Sequence, residues 1–296
     1  MRILVIGSNG QLGRDMTALC CGEGHAVEAV DVPVIDITDA GATDVIVQNA
    51  RPDIIINCAA YTAVDAAETN ESAAFAVNAA GTANIARAAA RCGAAMVHFS
   101  TDYVFDGTAA RPYVETDEPR PVSVYGKSKL AGERMLAEVL HRHFILRIAW
   151  LYGMHGGNFV KTIRDAAVRK KKAGQPLRVV NDQIGSPTHT IDVCRQTLTL
   201  IATGAFGLYH ATSEGCCTWY DFAQAIVAAA GIDVQVEPCS TAEFPRPAPR
   251  PAAAVLENQA LKKLGINRMP QWQDGFAEFL RREKALCNDS IHEDVH

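Results

Sequence analysis

Along the first 150 residues, short apolar runs alternate with longer segments in which apolar residues recur every three or four positions. The short runs are rich in β-branched side chains and predict five strands, near residues 3–6, 26–31, 53–60, 96–100 and 144–148. The longer segments predict helices, among them an alanine-rich helix over 70–92 and a helix that starts at Ser123. This alternation predicts an α/β fold with a doubly wound parallel sheet of the Rossmann type.

After Trp150 the alternation becomes irregular. The pattern predicts helices near 158–172, 189–202, 218–230 and 272–286, and strands near 177–180, 207–211 and 233–238. Residues 244–251, FPRPAPRP, predict a loop because proline interrupts helices. We therefore expect a first domain over 1–150 and a smaller C-terminal α+β lobe over 151–286, with some of its elements returning to the main sheet. Residues 287–296 are expected to be a polar tail, disordered from Asn288 onward.

Three glycines follow the first predicted strand in the spacing G-x-x-G-x-x-G. Gly7, Gly10 and Gly13 allow a sharp turn and a close approach of the backbone to a pyrophosphate. The helix predicted from Gln11 presents free N–H groups and the positive end of its dipole to the same anion. Because this turn follows the first strand of the chain, it predicts a dinucleotide-binding domain rather than an ordinary strand-to-helix turn.

Two residues give opposite indications about which dinucleotide is bound. Asp31 ends the second predicted strand about twenty residues after the glycine turn, where a carboxylate can accept hydrogen bonds from an adenosine ribose. That position favours NADH, because a carboxylate repels a 2′-phosphate. Arg14 follows the last glycine and can attract such a phosphate. The sequence therefore leaves NADH and NADPH both open.

A tyrosine and a lysine four residues apart, Tyr125 and Lys129, lie on one face of the helix that starts at Ser123. A phenol in water has a pKa near ~10, and a nearby ammonium is expected to lower it by roughly 1–3 pH units. Tyr125 can then donate a proton to an oxyanion that forms on a ketone. Thr101, at the end of the fourth predicted strand, is expected to hydrogen-bond the same carbonyl oxygen.

Composition narrows the class of protein without identifying it. The chain has 296 residues and a net charge of −5, which argues against nucleic acid as a partner. No stretch approaches a membrane span, and the N-terminus lacks the order of regions found in a signal peptide. The nine cysteines include no C-x-x-C pair and the histidines form no tract, so we expect free thiols in a cytoplasmic protein and no metal site.

Together, the glycines, Thr101, Tyr125 and Lys129 resemble the extended branch of the short-chain dehydrogenase/reductase superfamily, which acts largely on nucleotide sugars. Further motifs narrow the resemblance: STDYVFDG over 100–107, NDQIGSPT over 181–188 and TWYDF over 218–222. With these motifs, the chain from Met1 to about Leu286 is similar to the family of dTDP-4-dehydrorhamnose reductases.

The resemblance implies that NADPH or NADH gives a hydride to the 4-keto carbon of dTDP-4-dehydro-L-rhamnose, which yields dTDP-L-rhamnose. It implies that Tyr125 supplies the proton, that Lys129 holds the nicotinamide ribose, and that Thr101 orients the carbonyl. The residues expected at the cofactor are Gly7, Gly10, Gln11, Leu12, Gly13, Asp31, Asp36, Ile37, Ala60, Tyr61, Thr62, Phe99, Tyr125 and Lys129. Those expected at the substrate are Thr101, Asp102, Trp150 and Arg250, with Arg246 as a second candidate for the nucleotide diphosphate.

The sequence departs from the family pattern in two places. The proline-rich loop usually continues R-P-x-x-S-x-L, but Ala254 stands where the serine is expected, which leaves one polar contact open. Some members dimerise around magnesium held by glutamates; Asp15 fits the first acidic position, whereas Ile191 stands at the second. We therefore expect a monomer or a homodimer that is not bridged by a metal.

Four alternative functions belong to the same fold. A nucleotide-sugar dehydratase needs Asp-Glu after the strand-end threonine, but this chain has Asp102-Tyr103. Another 4-ketoreductase or a 4-epimerase would share the catalytic residues, although the NDQIGSPT segment favours a reductase. A non-catalytic dinucleotide-binding subunit, like the regulatory subunit of methionine adenosyltransferase, would not need Thr101, Tyr125 and Lys129 together.

Overall fold

The computed structural model describes residues 1–293. The helices are α1 (Gln11–Gly22), α2 (Ala40–Ala50), α3 (Val64–Ala67), α4 (Glu71–Phe75), α5 (Thr82–Cys92), α6 (Val124–Val139), α7 (Phe159–Lys172), α8 (Thr190–Thr203), α9 (Trp219–Ala229), α10 (Gln259–Lys263) and α11 (Trp272–Glu293). The strands are β1 (Arg2–Ile6), β2 (Ala26–Val30), β3 (Ile54–Asn57), β4 (Ala95–Thr101), β5 (His143–Ile148), β6 (Leu151–Tyr152), β7 (Leu177–Val180), β8 (Ile184–Gly185), β9 (Thr188–His189), β10 (Gly207–His210), β11 (Cys217–Thr218) and β12 (Val236–Cys239).

Six strands form the central sheet, in the order β2-β1-β3-β4-β5-β10, and every neighbouring pair is parallel. The chain leaves β1 for β2 on one side and returns to β3 on the other, so the strand order reverses between β1 and β3. Ligands of open parallel sheets bind at the carboxyl ends of the strands at such a reversal. The predicted Rossmann-type α/β fold is confirmed.

Both faces of this sheet are covered, as the apolar run after Arg2 predicts. Ile3 and Val5 face one hydrophobic cluster, together with residues of α1 and α8. Leu4 and Ile6 face a second cluster, together with residues of α2, α5 and α6. All four side chains are at most 1% exposed. Burial on both faces explains why this strand has no polar alternation.

A third hydrophobic cluster lies in the second half of the chain, and we call it the second core. It is formed by side chains of β6, α7, β7, α9 and α11, with Trp150 and Trp219 packed against it. The main sheet also receives elements from this half, since β10 pairs with β5 and α8 packs against α1. None of the helices in the described part of the chain combines the length and apolar character that a membrane crossing requires.

The structure differs from the predicted elements in three respects. The helix predicted over 70–92 is divided by a π-helical segment, Ala76–Gly81, between α4 and α5. The pattern does not predict the short helices α3 and α10 or the two-residue strands β6, β8, β9 and β11, because segments of two to five residues have no detectable periodicity. The disorder predicted from Asn288 is wrong up to Glu293, where α11 ends; residues 294–296 lie outside the described residues.

Candidate active site

The glycine turn after β1 is packed too tightly for any side chain at two of its three glycines. Gly7 has a φ of +79°, and a Cβ there would come within 2.5 Å of the backbone nitrogen of Ala59. A Cβ on Gly13 would overlap the carbonyl oxygen of Gly7. At Gly10 a Cβ would lie 3.3 Å from the same oxygen, so this position is less constrained. The turn therefore brings the N-terminus of α1 against the ends of β1 and β3.

A cleft of about 300 Å³ opens beside this turn, at the reversal point of the sheet. Six of the residues predicted to bind the cofactor line it: Gly7, Gly10, Asp31, Asp36, Ile37 and Ala60. The Asp36 carboxylate is held by the backbone N–H and the hydroxyl of Thr38, which lower its pKa. A cleft lined by the glycine turn before α1 and by the carboxylates of Asp31 and Asp36 suits a dinucleotide.

The two residues that gave opposite indications about the cofactor both contact Asn9, in the glycine turn. The Asp31 carboxylate accepts hydrogen bonds from the backbone N–H groups of Asn9, at 2.8 Å, and Val32, at 2.7 Å. The exposed Arg14 donates from Nε to the Asn9 carbonyl at 3.1 Å. Asp31 therefore also holds the turn in place.

Gln11 and Leu12 begin α1, but their side chains point away from the cleft. The Gln11 amide donates to the carbonyl of Leu151 and accepts from Asn158 at 2.8 Å. The Leu12 side chain is buried in the core beside the sheet. Only the backbone N–H groups of these residues can face a pyrophosphate, as expected at the first turn of a helix.

Helix α6 brings Tyr125 to the end of β4. The Ser123 hydroxyl caps the helix by accepting from the Gly126 N–H at 3.1 Å. A Cβ on Gly126 would overlap the carbonyl oxygen of Tyr103, so this glycine lets α6 approach the segment after β4. The rings of Tyr103 and Tyr125 meet edge to face, with centroids 5.5 Å apart. The Thr101 hydroxyl lies beside the Tyr125 phenol and favours its ionised form.

The expected lowering of the Tyr125 pKa by Lys129 is wrong for this structure. Burial raises the pKa of Tyr125, the nearby Asp102 raises it further, and the Thr101 hydroxyl opposes both effects. The reason lies in the direction of the lysine side chain. Lys129 Nζ donates to the Phe99 carbonyl at 2.6 Å and lies 3.3 Å from Nε2 of His98. Lys129 is 2% exposed, and burial lowers its pKa to about 8.

Asp102 is a buried carboxylate beside the two tyrosines. Its Oδ1 accepts from the Thr101 hydroxyl at 2.9 Å, whereas its Oδ2 has no hydrogen-bond partner among the described residues. Burial raises the pKa of Asp102 to about 7, so it carries a proton for part of the time near neutral pH. A protonated Asp102 removes the charge that disfavours ionisation of Tyr125.

Tyr61 and Phe99, which are predicted to lie at the nicotinamide, both lie close to α6. Tyr61 packs in the same hydrophobic cluster as Tyr125, and its backbone N–H and carbonyl are both bonded to the side chain of Asn78. Asn78 lies in the π-helical segment and also donates to Ser128 of α6 at 3.0 Å. Thr62 is exposed. Sequence reasoning missed the role of Asn78, although an asparagine inside an alanine-rich helix is a signal that could have found it.

Trp150, which is predicted to contact the sugar, has a strained backbone, with a φ of +45°. Its ring stacks on that of Trp219 with centroids 3.4 Å apart. A Cβ on Gly185 would overlap the Trp150 ring, so the glycine of the NDQIGSPT motif makes room for it. The Trp219 ring N–H donates to Gln183 of the same motif. Two of the sequence motifs therefore converge on Trp150.

Arg250 is fixed by a carboxylate that the sequence reasoning did not consider. Its guanidinium donates to both oxygens of Asp65, each at 3.1 Å. Arg246 lies 3.9 Å from the same carboxylate, and the Ala248 N–H also donates to it. Arg250 lowers the pKa of Asp65, which is therefore ionised. Ala254, the residue in place of the expected serine, is buried, and its N–H donates to the Ile184 carbonyl.

Asp15 and Ile191, which stand at the two positions that hold magnesium in metal-bridged members of the family, have other contacts in this structure. Asp15 accepts a short hydrogen bond from the Thr190 hydroxyl and lies 3.7 Å from Nε2 of His155. Ile191 is buried. Among the described residues, no group of three or more His, Cys, Asp or Glu side chains is placed to hold a metal ion.

Comparisons with known proteins agree with this geometry. The family model described as the RmlD substrate binding domain matches residues 1–285. A dTDP-4-dehydrorhamnose reductase from Mycobacterium tuberculosis is 41% identical over 287 residues, covering 94% of this chain and 92% of that protein. The crystal structure of a dTDP-4-dehydrorhamnose reductase from Clostridium acetobutylicum is 43% identical, with a TM-score of 0.92, over 96% of this chain and 100% of that one.

A further structure, a dTDP-4-dehydrorhamnose reductase from Bacillus anthracis in complex with NADP, is 40% identical, with a TM-score of 0.90, over 95% of this chain and 99% of that one. These relatives share nearly the whole chain and its fold. The resemblance drawn from the sequence motifs is thereby confirmed, and the chain belongs to the RmlD substrate-binding-domain family.

Proposed function

We propose that this protein is an NAD(P)H-dependent reductase that converts dTDP-4-dehydro-L-rhamnose to dTDP-L-rhamnose. The observation that supports the proposal is that β4 and α6 bring the Thr101 hydroxyl beside the Tyr125 phenol at the carboxyl edge of the sheet, with Lys129 one turn further along α6. The names of the relatives, and the NADP in one of their structures, agree with the sequence-based assignment of both the reaction and the cofactor.

The residues around the cleft fit a nicotinamide dinucleotide. Gly7 and Gly13 stand where a Cβ would overlap the backbone, so the tight turn can form only with glycine at these positions. The N-terminus of α1, which follows this turn, would hold a pyrophosphate. Asp31 and Asp36 would lie at the adenosine end, and Ala60, Tyr61 and Phe99 at the nicotinamide end. When bound, the reduced cofactor supplies the hydride.

Side chains of the protein would bind the substrate oxygen and donate the proton. The Thr101 hydroxyl, which donates to Asp102 in the free protein, would turn to donate to the 4-keto oxygen and hold it beside the Tyr125 phenol. As the carbonyl carbon accepts the hydride, the developing oxyanion takes the phenol proton of Tyr125. Burial destabilises the phenolate left on Tyr125, and the positive charge on Lys129, one helical turn away, would offset part of this effect.

The second half of the chain would supply the binding surface for the sugar nucleotide. We propose that residues 151–286 form this substrate lobe, with Trp150 at its boundary against the sugar and Asp102 facing the sugar from the sheet. Arg250 would contact the nucleotide diphosphate, with Arg246 as a second candidate. Because Asp65 holds Arg250 in a bidentate pair, a diphosphate would have to compete with this carboxylate or bind beside it.

Two further proposals concern the cellular location and the oligomeric state of the protein. We propose a cytoplasmic protein, since its eight described cysteines are free thiols. We propose a monomer or a homodimer whose interface does not use a metal ion, because Asp15 is engaged by Thr190 and Ile191 is buried.

The decisive experiment mixes the purified protein with dTDP-4-dehydro-L-rhamnose and either NADPH or NADH. We expect loss of nicotinamide absorbance and formation of dTDP-L-rhamnose. Cofactor binding without turnover would favour the non-catalytic subunit. Turnover only with other 4-keto sugar nucleotides would point to another ketoreductase, and interconversion of 4-epimers without net oxidation of cofactor would point to an epimerase.

A further inference from the structure

His98 is a buried histidine in the middle of β4 that the mechanism above does not use. It is 0% exposed and lies between Asn57 at the end of β3 and Lys129 on α6. Its Nδ1 is 3.3 Å from the amide nitrogen of Asn57, and its Nε2 is 3.3 Å from Nζ of Lys129. The three side chains therefore form a continuous buried row that ends on a residue of the catalytic set.

The orientation of the Asn57 amide is set by the backbone. Its Oδ1 accepts from the Ala59 N–H at 3.1 Å. A flipped amide would place its NH₂ group against that N–H, so two donors would face each other. Asn57 therefore turns its NH₂ group toward His98 and donates to Nδ1.

This donation decides which nitrogen of His98 carries the proton. A neutral imidazole has one acceptor nitrogen and one N–H, and His98 is neutral because burial and the neighbouring Lys129 hold its pKa well below the ordinary value. With Nδ1 accepting from Asn57, the proton is on Nε2. The Nε2–H group then points at Nζ of Lys129.

An N–H donor opposite Nζ discriminates between the two forms of the lysine. The neutral amine has a lone pair that can accept from Nε2–H, while one of its own hydrogens still bonds the Phe99 carbonyl. The ammonium has no lone pair, so its contact with Nε2–H brings two donors together. We propose that Asn57 and His98 are positioning residues for Lys129, which favour its neutral amine over its ammonium by presenting Nε2–H to Nζ.

The other ionisable groups around Lys129 do not account for a preference for its neutral amine. Glu133, one turn further along α6, favours the ammonium, but both of its oxygens are bonded to Arg147 of β5. Tyr125 on α6 and Asp102 after β4 are both disfavoured as anions by burial. The lowered pKa of Lys129 agrees with an environment that disfavours the ammonium.

The proposal has a consequence for catalysis, and that consequence rests on the proposed reduction. If the charge on Lys129 stabilises the Tyr125 phenolate, turnover falls as Lys129 loses its proton. Asn57 and His98 would then set the upper pH limit of the reaction. The protonation of Lys129 itself can be measured without cofactor or substrate, so a failure of the reductase assignment leaves the proposal testable.

The first test reads the tautomer in the unmodified protein. Long-range ¹H–¹⁵N correlation spectra of the histidine rings distinguish a protonated Nε2 from a protonated Nδ1. We expect His98 to carry its proton on Nε2 from pH 6 to pH 9. A protonated Nδ1 would overturn the proposal, because Nε2 would then accept from the Lys129 ammonium and stabilise it.

The second test follows Lys129 with ¹⁵N-labelled lysine, its signal assigned by its loss in Lys129→Met. In Asn57→Asp the new carboxylate accepts from Nδ1–H, so the His98 proton moves to Nδ1 and Nε2 becomes an acceptor. We expect the pKa of Lys129 to rise by about one pH unit or more. The high-pH limb of turnover should move upward by the same amount.

A control separates the tautomer from the added charge. His98→Asn keeps an amide opposite residue 57 but has no atom at the position of Nε2. Asn57→Asp should therefore raise the pKa of Lys129 in the natural background and change it much less in His98→Asn. Equal increases in both backgrounds would indicate a direct charge effect, and an unchanged Lys129 in Asn57→Asp would likewise overturn the proposal.

Discussion

The carboxyl edge of the main sheet and the junction between the two halves of the chain are organised by different kinds of contact. At the sheet edge, glycines set the distances: Gly7, Gly13 and Gly126 each allow backbones to meet where a Cβ would overlap. Between the two halves of the chain, pairs of side chains far apart in sequence set the distances. Arg250 meets Asp65 across 185 residues, and Asn158 meets Gln11 across 147. We therefore expect substitutions in the first region to cause large losses of binding, stability or turnover, and substitutions in the second to cause smaller changes in substrate binding.

The sharpest failure is expected for Gly13→Ala. The added methyl overlaps the Gly7 carbonyl, so the turn must shift and α1 must move from the cleft. We expect cofactor affinity to fall at least about 100-fold, together with a stability loss of roughly 1–3 kcal/mol or more. Calorimetric titration with NADPH and urea unfolding measure these effects. Gly22→Ala, on the same helix with nothing within 4 Å, is the matched control and should be neutral or slightly stabilising.

Tyr125→Phe tests the chemistry at the same edge without disturbing its backbone. Removing the phenol proton should lower turnover by roughly 100-fold or more, while cofactor affinity stays nearly unchanged. Stopped-flow oxidation of NADPH and a separate binding titration distinguish the two. Tyr209→Phe removes a hydroxyl bonded to the Ala205 carbonyl, away from the site, and should keep turnover. Near-normal turnover in Tyr125→Phe would refute the assignment of the proton donor.

Asp102→Asn tests how much the buried carboxyl group lowers the free energy of unfolding at neutral and alkaline pH. The folded pKa of about 7 exceeds the ordinary 3.8, so the native state keeps a proton that the unfolded chain releases. Stability from this group is present below about pH 4 and is lost as the pH rises to 7. The variant should therefore exceed the natural protein at pH 8 by roughly 2–4 kcal/mol in urea unfolding, with little difference near pH 4.

Asp106, whose pKa is lowered and not raised, is the control for the direction of the stability change expected in Asp102→Asn. Hydrogen bonds from Tyr113 and Thr108 lower the pKa of Asp106. Asp106→Asn should therefore lose stability at pH 8 relative to the natural protein. A gain in both variants would mean that the asparagines act through packing and not through proton binding.

Arg250→Met tests the second region, where a graded effect is expected. Loss of the guanidinium should raise the KM for the sugar nucleotide by about 10-fold, the size of one charge-assisted contact, and leave the KM for NADPH unchanged. Asp65→Asn weakens the competing partner and is the companion variant. It should lower the KM for the sugar nucleotide or leave it unchanged. Equal rises in both variants would indicate that the pair only holds the proline-rich loop.

Asp31→Ala should give the smallest change. If the carboxylate binds the adenosine ribose, NADH affinity should fall several-fold more than NADPH affinity, since a 2′-phosphate gains from the loss of a negative charge. Parallel titrations with both cofactors measure the ratio. Equal weakening of both would mean that Asp31 acts only through the Asn9 N–H and Val32 N–H groups that it holds.

The difference between the two regions also explains what the sequence could predict. Thr101, Tyr125 and the glycines follow strand ends or share a helix face, so their spacing alone predicts that they converge. The pairing of Arg250 with Asp65 depends on how two distant loops lie, and no local pattern encodes that. The direction of the Tyr125 pKa shift depends on burial and on where Lys129 points. His98 looks like one more apolar-facing strand residue until Asn57 and Lys129 are seen on either side of it.

The stacked pair formed by Trp150 and Trp219 has a practical consequence for solution work. The chain has three tryptophans, and two of them lie face to face at 3.4 Å where the lobe begins. Indole rings so close couple their electronic transitions, so their near-ultraviolet circular dichroism should contain an exciton couplet. If a sugar ring binds at Trp150 as proposed, that couplet should change, and the change would detect substrate binding without following the nicotinamide.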